Sequence, residues 1–407
     1  MNPRPRCFRF IATLGCTLLV GAGASGCSST GARPGSSPRH GSGSAVLRST
    51  NAVALEVNGE HILVRGTING HPVRLVLDTG ASHVSLSPEA AQAVGIGQLR
   101  SARFTTFGAE HGSAQMGFAQ SVEVGSAVAE DVPVFVAAVP AVFEADGFLG
   151  LSFLRRFAFR VDYQNRLVAF SPAASGAPDK GGSRLRMRED GRLVVEAEVD
   201  GALARLIVDT GAGQSLILRH WFVEAQNLGT RYPKRLSTIT GASLLGLTRG
   251  EYARLNSVRL GSSTVTNVIA EFESAASSRP SDGVAGYLGA GILRRFDLHF
   301  DPQGQSLWLK PNEQHSVEPP PPATLRSGMV CTPDGTVADL IPRSPAAEAG
   351  VRVGDRLLAV DGQSFERLKF EGLKRALRAA PGTRVRLVLQ SAGQASREVS
   401  LILRDLL

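Results

Sequence analysis

The chain has 407 residues, 43% of them hydrophobic, enough for two or three separate cores and too many for a disordered chain. Its formal net charge of +8 includes Arg4, Arg6 and Arg9 at the start, and the other basic residues are scattered. No basic stripe interleaved with aromatic residues is present, so nucleic acid is not an expected partner.

Residues 1–26 place those arginines ahead of an apolar run from about Phe10 to Ala22, the pattern of a secretory signal and too short to span a bilayer. Ala24-Ser25-Gly26-Cys27 resembles the lipobox of bacterial lipoproteins, with Ala24 where leucine is commonest. The resemblance implies cleavage before Cys27, lipidation of its thiol, and an exported protein held at a membrane of the cell envelope. Ordinary cleavage and an uncleaved anchor are the alternatives. With Cys7 and Cys16 in the leader, Cys331 would remain as the free thiol, and no intramolecular disulfide is expected. Residues 27–50, dominated by Ser, Gly, Arg and Pro, read as a flexible tether.

Residues 51–172 read as short strands punctuated by Asn58-Gly59, Asn69-Gly70, Gly108, Gly112, Gly125 and Pro133. At their centre Val73-Arg-Leu-Val-Leu-Asp78-Thr79-Gly80-Ala81 runs an apolar strand, expected to be buried on both faces, into a carboxylate and a turn. One helix is predicted from Ser87 to Gly95, with a capping serine, proline at the first position and glycine past the end. The polar stretch to Ser113 that begins with Phe107 and Gly108 is the candidate tip of a flap that closes over a ligand, with an ordinary hairpin turn as the alternative. Residues 171–183 form a linker of Pro, Gly and Ala.

Residues 184–310 repeat this plan. Ala204-Arg-Leu-Ile-Val-Asp209-Thr210-Gly211-Ala212 matches the central stretch, and Asp200-Gly201 stands at the offset of Asn69-Gly70, each a two-residue hairpin signal. Phe148-Leu149-Gly150, Leu154-Arg-Arg-Phe157 and Asp162 recur as Tyr287-Leu288-Gly289, Leu293-Arg-Arg-Phe296 and Asp301. Asp190-Gly191 corresponds to Asn58-Gly59, and Ser237 to Ser243, with Thr240 and Gly241 inside it, is the second flap candidate. A lone Asp-Thr-Gly is an ordinary turn. Two copies in matched context, each followed by the same later motifs, are a specific signal.

These motifs resemble the aspartic proteases over nearly all of residues 51–310, and the Asp-Thr-Gly-Ala form resembles the retroviral type. The resemblance implies a mainly β fold of two tandem pepsin- or retropepsin-like lobes across a pseudo-two-fold cleft. It implies that Asp78 and Asp209 form a catalytic dyad that acts through an activated water on peptide or protein substrates. Thr79 and Thr210 would hydrogen-bond to the opposite loop, and Gly80 and Gly211 would let amides approach the acids. Ala81 and Ala212 offer no hydroxyl to the charged form, which predicts a less acidic optimum than a Ser or Thr version would have. Neither metal nor cofactor is expected: His83 and His220 flank the motifs, but no His, Cys, Asp or Glu cluster has ligand spacing. Nor is a Gly-x-Ser-x-Gly nucleophile signature present. The alternative function is a module that holds peptides in the cleft without cutting them.

Residues 311–324, with consecutive prolines from Pro319 to Pro322, read as a stiff spacer. In residues 325–407, the run from Arg343 to Gly350 followed by Gly354-Asp355 and Asp361-Gly362 resembles bacterial PDZ domains, a small α+β fold. Locally it predicts a Ser344-capped helix begun by Pro345 and closed by Gly350, a strand ending in the Asp361-Gly362 turn, and an amphipathic helix from Leu368 to Ala379. The resemblance implies an extended peptide added to a sheet edge, its terminal carboxylate received near Ser327, Gly328, Met329 and Val330. That loop lacks the familiar Gly-Leu-Gly-Phe. A C-terminal peptide and the protein's own lobes are therefore both candidate ligands.

Overall fold

The computed structural model describes residues 44–48, 52–105, 111–171, 182–189, 192–243, 246–274 and 280–407. The leader, Cys27, the Phe107-Gly108 flap tip, most of the first linker and the Asp190-Gly191 turn lie outside them.

Each lobe is built on a hairpin whose turn is written in its residues. Asn69 and Gly70 take φ of 51° and 80°, and Asp200 and Gly201 take 48° and 84°, the paired positive values of a tight two-residue turn. The first turn joins His61–Ile68 to His71–Leu77, and the second joins Leu193–Val199 to Ala202–Asp209. Leu75, Val76 and Leu77 are all fully buried, as are Leu206, Ile207 and Val208, so both strands are covered on both faces. Each ends against a parallel neighbour: Gly147–Leu149 in the first lobe, Val284–Gly289 in the second.

A third sheet joins the lobes. Its order is Ser183–Arg186, Ser306–Pro311, Phe296–Asp301, Ala158–Asp162, Leu167–Ser171 and Ala52–Ala54. The two middle strands follow the repeated Leu-Arg-Arg-Phe motifs and pair antiparallel, with Phe159 opposite Phe300 and their rings stacked at 4.6 Å. One apolar core runs through both lobes, while the PDZ domain has its own.

The predicted helix of the first lobe forms at Pro88–Ala93, where Ser87 Oγ accepts from Ala90 N–H at 3.1 Å and Gly95 closes it with φ 72°. In the second lobe His220–Ala225 takes its place without a side-chain cap. In the PDZ domain Ser344 Oγ accepts from Ala347 N–H at 3.3 Å at the head of Pro345–Glu348. Asp361 and Gly362 make the expected turn, with φ of 49° and 81°.

Two expectations are corrected. The tether was expected to run to residue 50, but Ala45–Leu47 is a strand paired with Ala127–Val136. The Ser- and Gly-rich composition stops at Ser44, and an apolar triplet adds to an open sheet edge. The last long helix spans Phe365–Leu377, is broken at Lys369 with φ 58°, and stops short of Ala379 because Pro381 disfavours helical backbone before it.

Candidate active site

Asp78 and Asp209 emerge from their buried strands into two loops that face each other, and both acids are 0% exposed. Within each loop the arrangement is the same. Asp78 Oδ1 accepts from Gly80 N–H at 2.8 Å and Ala81 N–H at 2.9 Å; Asp209 Oδ1 accepts from Gly211 and Ala212 N–H, both at 2.9 Å.

Between the loops the threonines are reciprocal. Thr79 Oγ1 donates to Val208 C=O at 2.7 Å and accepts from Thr210 N–H at 3.1 Å, while Thr210 Oγ1 donates to Leu77 C=O at 2.8 Å and accepts from Thr79 N–H at 3.1 Å. The buried threonines lock the two acids relative to each other. The glycines set the approach: a Cβ on Gly80 would lie 2.4 Å from the Asp209 carboxyl carbon, and one on Gly211 would lie 2.5 Å from that of Asp78. No other residue fits there.

The loops are backed by a second pair of glycines. A Cβ on Gly150 would lie 2.1 Å from His83 C=O, and one on Gly289 would lie 2.2 Å from Gln214 C=O. That closeness lets Leu151 N–H reach Ala81 C=O at 2.8 Å and Ala290 N–H reach Ala212 C=O at 2.7 Å. Burial and the neighbouring Asp209 carboxylate push the Asp78 carboxyl well above the ordinary aspartate range, against the pull of the Ala81 and Gly80 amides.

Around this symmetric centre the surroundings differ. His83 is packed edge-on against Phe135 at 4.6 Å, with Nδ1 at 2.8 Å from Ser82 Oγ, and burial pushes its ring down to about 4. His220 is partly buried at the start of its helix. Neither approaches a metal geometry: among the described residues no group of three His, Cys, Asp or Glu could hold an ion.

The second flap candidate is a hairpin of Leu236–Ser243 and Gly246–Leu260. Thr240 and Gly241 fall within its first strand rather than at its turn. Thr240 is buried and donates to Glu271 Oε1 at 2.6 Å, and the pairing register shifts at Gly241. Burial pushes Glu271 up to about 7 despite the Thr240 hydroxyl.

In the PDZ domain Ser327, Gly328 and Met329 donate their backbone N–H to Ala323 C=O, Thr324 C=O and Ser327 Oγ, and Val330 pairs with Asp339. Those amides are satisfied within the domain, so the loop does not offer them to a terminal carboxylate.

Sequence reasoning missed the contacts between the PDZ domain and the lobes. Glu60 receives Lys374 Nζ at 3.0 Å and also Arg378; burial alone would raise its carboxyl, but those two charges hold it far below the usual range. Asp339 Oδ2 accepts from Thr238 Oγ1 and Ile239 N–H, both at 3.0 Å, and Oδ1 meets Arg249 at 3.0 Å. An isolated Glu after a turn carries no signal of a partner some 300 residues away.

Residues 64–156 match the family model described as "gag-polyprotein putative aspartyl protease", residues 195–291 match "Aspartyl protease", and residues 336–391 match "PDZ domain". A "putative zinc metalloprotease" of Agrobacterium fabrum is 39% identical over 61 residues, 15% of this chain, and the match spans only 16% of that protein's length. An aspartic proteinase from Irpex lacteus aligns at 12% identity and a TM-score of 0.46, over 66% of this chain and 99% of its own. A retropepsin-like aspartic protease from Rickettsia conorii aligns at 24% identity and a TM-score of 0.26, over 32% of this chain and 95% of its own. By the family matches, the chain carries two aspartyl-protease domains in tandem, the first of the gag-polyprotein type, and a C-terminal PDZ domain.

Proposed function

We propose that the protein is an aspartic endopeptidase in which Asp78 and Asp209 cut peptide bonds with an activated water. The observation that carries this reading is the reciprocal seating of two buried acids, each held by two amides of its own loop and lying against a glycine of the other.

Two carboxylates so close cannot both ionise cheaply, so the pair holds one proton. The ionised partner takes a proton from water as the oxygen attacks the carbonyl carbon, and the protonated partner gives its proton to the carbonyl oxygen. Collapse of the tetrahedral diol breaks the C–N bond. One hydroxyl proton of the diol returns to the acids and a carboxyl proton goes to the departing amine, which leaves the pair singly protonated. Export by the leader, anchoring at Cys27 and substrates among exported or envelope proteins complete the reading, and rest on the first 27 residues alone.

The test is cleavage of reduced, unfolded casein from about pH 4 to 7.5 by the full chain and by Asp78→Asn and Asp209→Asn. The expected result is cleavage by the parent and a loss of about 1,000-fold or more in each variant. Casein bound but uncut by the parent would favour a peptide-holding module.

A further inference from the structure

The PDZ domain presents an unfinished sheet edge to the protease. Met329–Cys331 pairs with Val337–Leu340 on one side, and among the described residues no strand pairs with its other edge. The bonds from Ile341 N–H to Gly328 C=O and from Thr332 N–H to Thr336 C=O bracket the paired side, so the backbone of Cys331 is directed to the open one.

That edge does not face bulk solvent alone. With Phe370 and Leu373 of the last long helix it lines a cavity of about 150 Å³ that is also lined by Gln214, Thr240 and Glu271 of the second lobe. Gln214 lies two residues beyond Ala212, so the cavity starts where the second catalytic loop ends. The docking contacts fix this arrangement. Glu60, bound by Lys374 and Arg378, packs against Gly213, where an added Cβ would lie 2.9 Å from the Glu60 Cβ. Asp339 holds the flap hairpin of the same lobe at Thr238 and Ile239.

We infer that the PDZ groove and the catalytic cleft form one continuous peptide site, in which an extended internal segment of the substrate leaves the cleft past Gln214 and adds as a strand to the edge at Cys331. This rests on the endopeptidase reading. Three observations choose the occupant. The open edge offers backbone groups that an extended chain completes. The cavity is lined by Met329, Val330 and Cys331 of the edge and by Gly213 and Gln214, the residues that directly follow the second Asp-Thr-Gly-Ala loop, so a chain leaving that loop on this side would meet the edge. The loop amides that would receive a terminal carboxylate are already satisfied, which favours an internal segment over a chain end.

The probe is the casein segment that the enzyme cuts, made as a peptide of about eight residues and lengthened by about ten toward either end, enough to reach across the cavity at about 3.3 Å per residue. With the full chain, one of the two lengthened peptides should show a KM lower by about tenfold or more, as expected when a second contact becomes intramolecular. Lys374→Glu, which sets a carboxylate against Glu60, and Asp339→Ala, which frees the flap hairpin, should each abolish that length advantage, with folding checked by circular dichroism. Equal KM for all three peptides in the parent would overturn the inference. So would a length advantage that survives both folded variants. An extension supplied as a separate peptide that changes cleavage of the short one without competing would also overturn it, because the two sites would then be independent. If the parent cuts nothing, the endopeptidase reading fails instead, and a length series of the same design, built on a casein segment that the full chain binds, is read as binding by fluorescence anisotropy to Asp209→Asn. Equal affinity at all lengths there overturns the continuous site, and a tenfold gain at one end supports it.

Discussion

The two lobes share one plan and are nearly identical at the acids, but they differ in what surrounds them. At the acids, each hydrogen bond of one loop has a counterpart in the other within about 0.1 Å. Past the alanines the side chains differ. Ala81 leads into Ser82 and a packed His83, whereas Ala212 leads into Gly213 and Gln214, which face Glu60, Glu271 and the PDZ domain. The proposed chemistry calls for equality, because it shares one proton between two equivalent acids. Recognition does not, and fusing both lobes in one chain permits a one-sided periphery that a symmetric dimer could not have.

The equality can be broken most severely at the glycines behind the loops. Gly150→Ala and Gly289→Ala would each drive a methyl into a backbone carbonyl at 2.1 and 2.2 Å, with no flexible side chain to give way. Each should cost more than about 4 kcal/mol and leave little folded protein in urea melts. Gly70→Ala, in open space at φ 80°, should cost only about 1 kcal/mol by the same measurement. A mild effect at one of the loop glycines and a severe one at the other would show that the lobes are not equivalent.

A smaller effect sharpens the same point through pH. The Asp78 carboxyl is raised in the native state, so its contribution is fully present below the ordinary aspartate range and is lost as pH rises through the raised native value. Asparagine cannot ionise, and so escapes that loss. Asp78→Asn should therefore melt about 2 °C or more above the parent at pH 7 and about level with it near pH 3.5. Asp209→Asn should match it, since removing either acid relieves the same repulsion. A gain in one variant only would mean that the repulsion is not shared.

The paired Asp-Thr-Gly-Ala loops were legible because the sequence states them twice, each after a turn and an apolar strand. The need for Gly150 and Gly289 was visible as a motif, but its cause, a carbonyl of the catalytic loop in the space of the missing Cβ, required coordinates. Gly241 misled: it marks a register shift within a strand, a use of glycine that local sequence does not separate from a turn. The sheet joining the lobes was not read, because Ala158–Asp162 and Phe296–Asp301 find each other across more than a hundred residues. The docked PDZ domain was beyond reach for the same reason, since Glu60 and Lys374 acquire meaning only as a pair.

The most direct test of the shared dyad is the pH profile of kcat/KM for casein-derived peptide cleavage by the parent. One proton held by two acids predicts a bell-shaped profile with two limbs. Because Ala81 and Ala212 lend the charged form no hydroxyl, its maximum should be weakly acid to neutral. A profile with a single limb, or one whose shape and height persist in Asp209→Asn, would contradict the account.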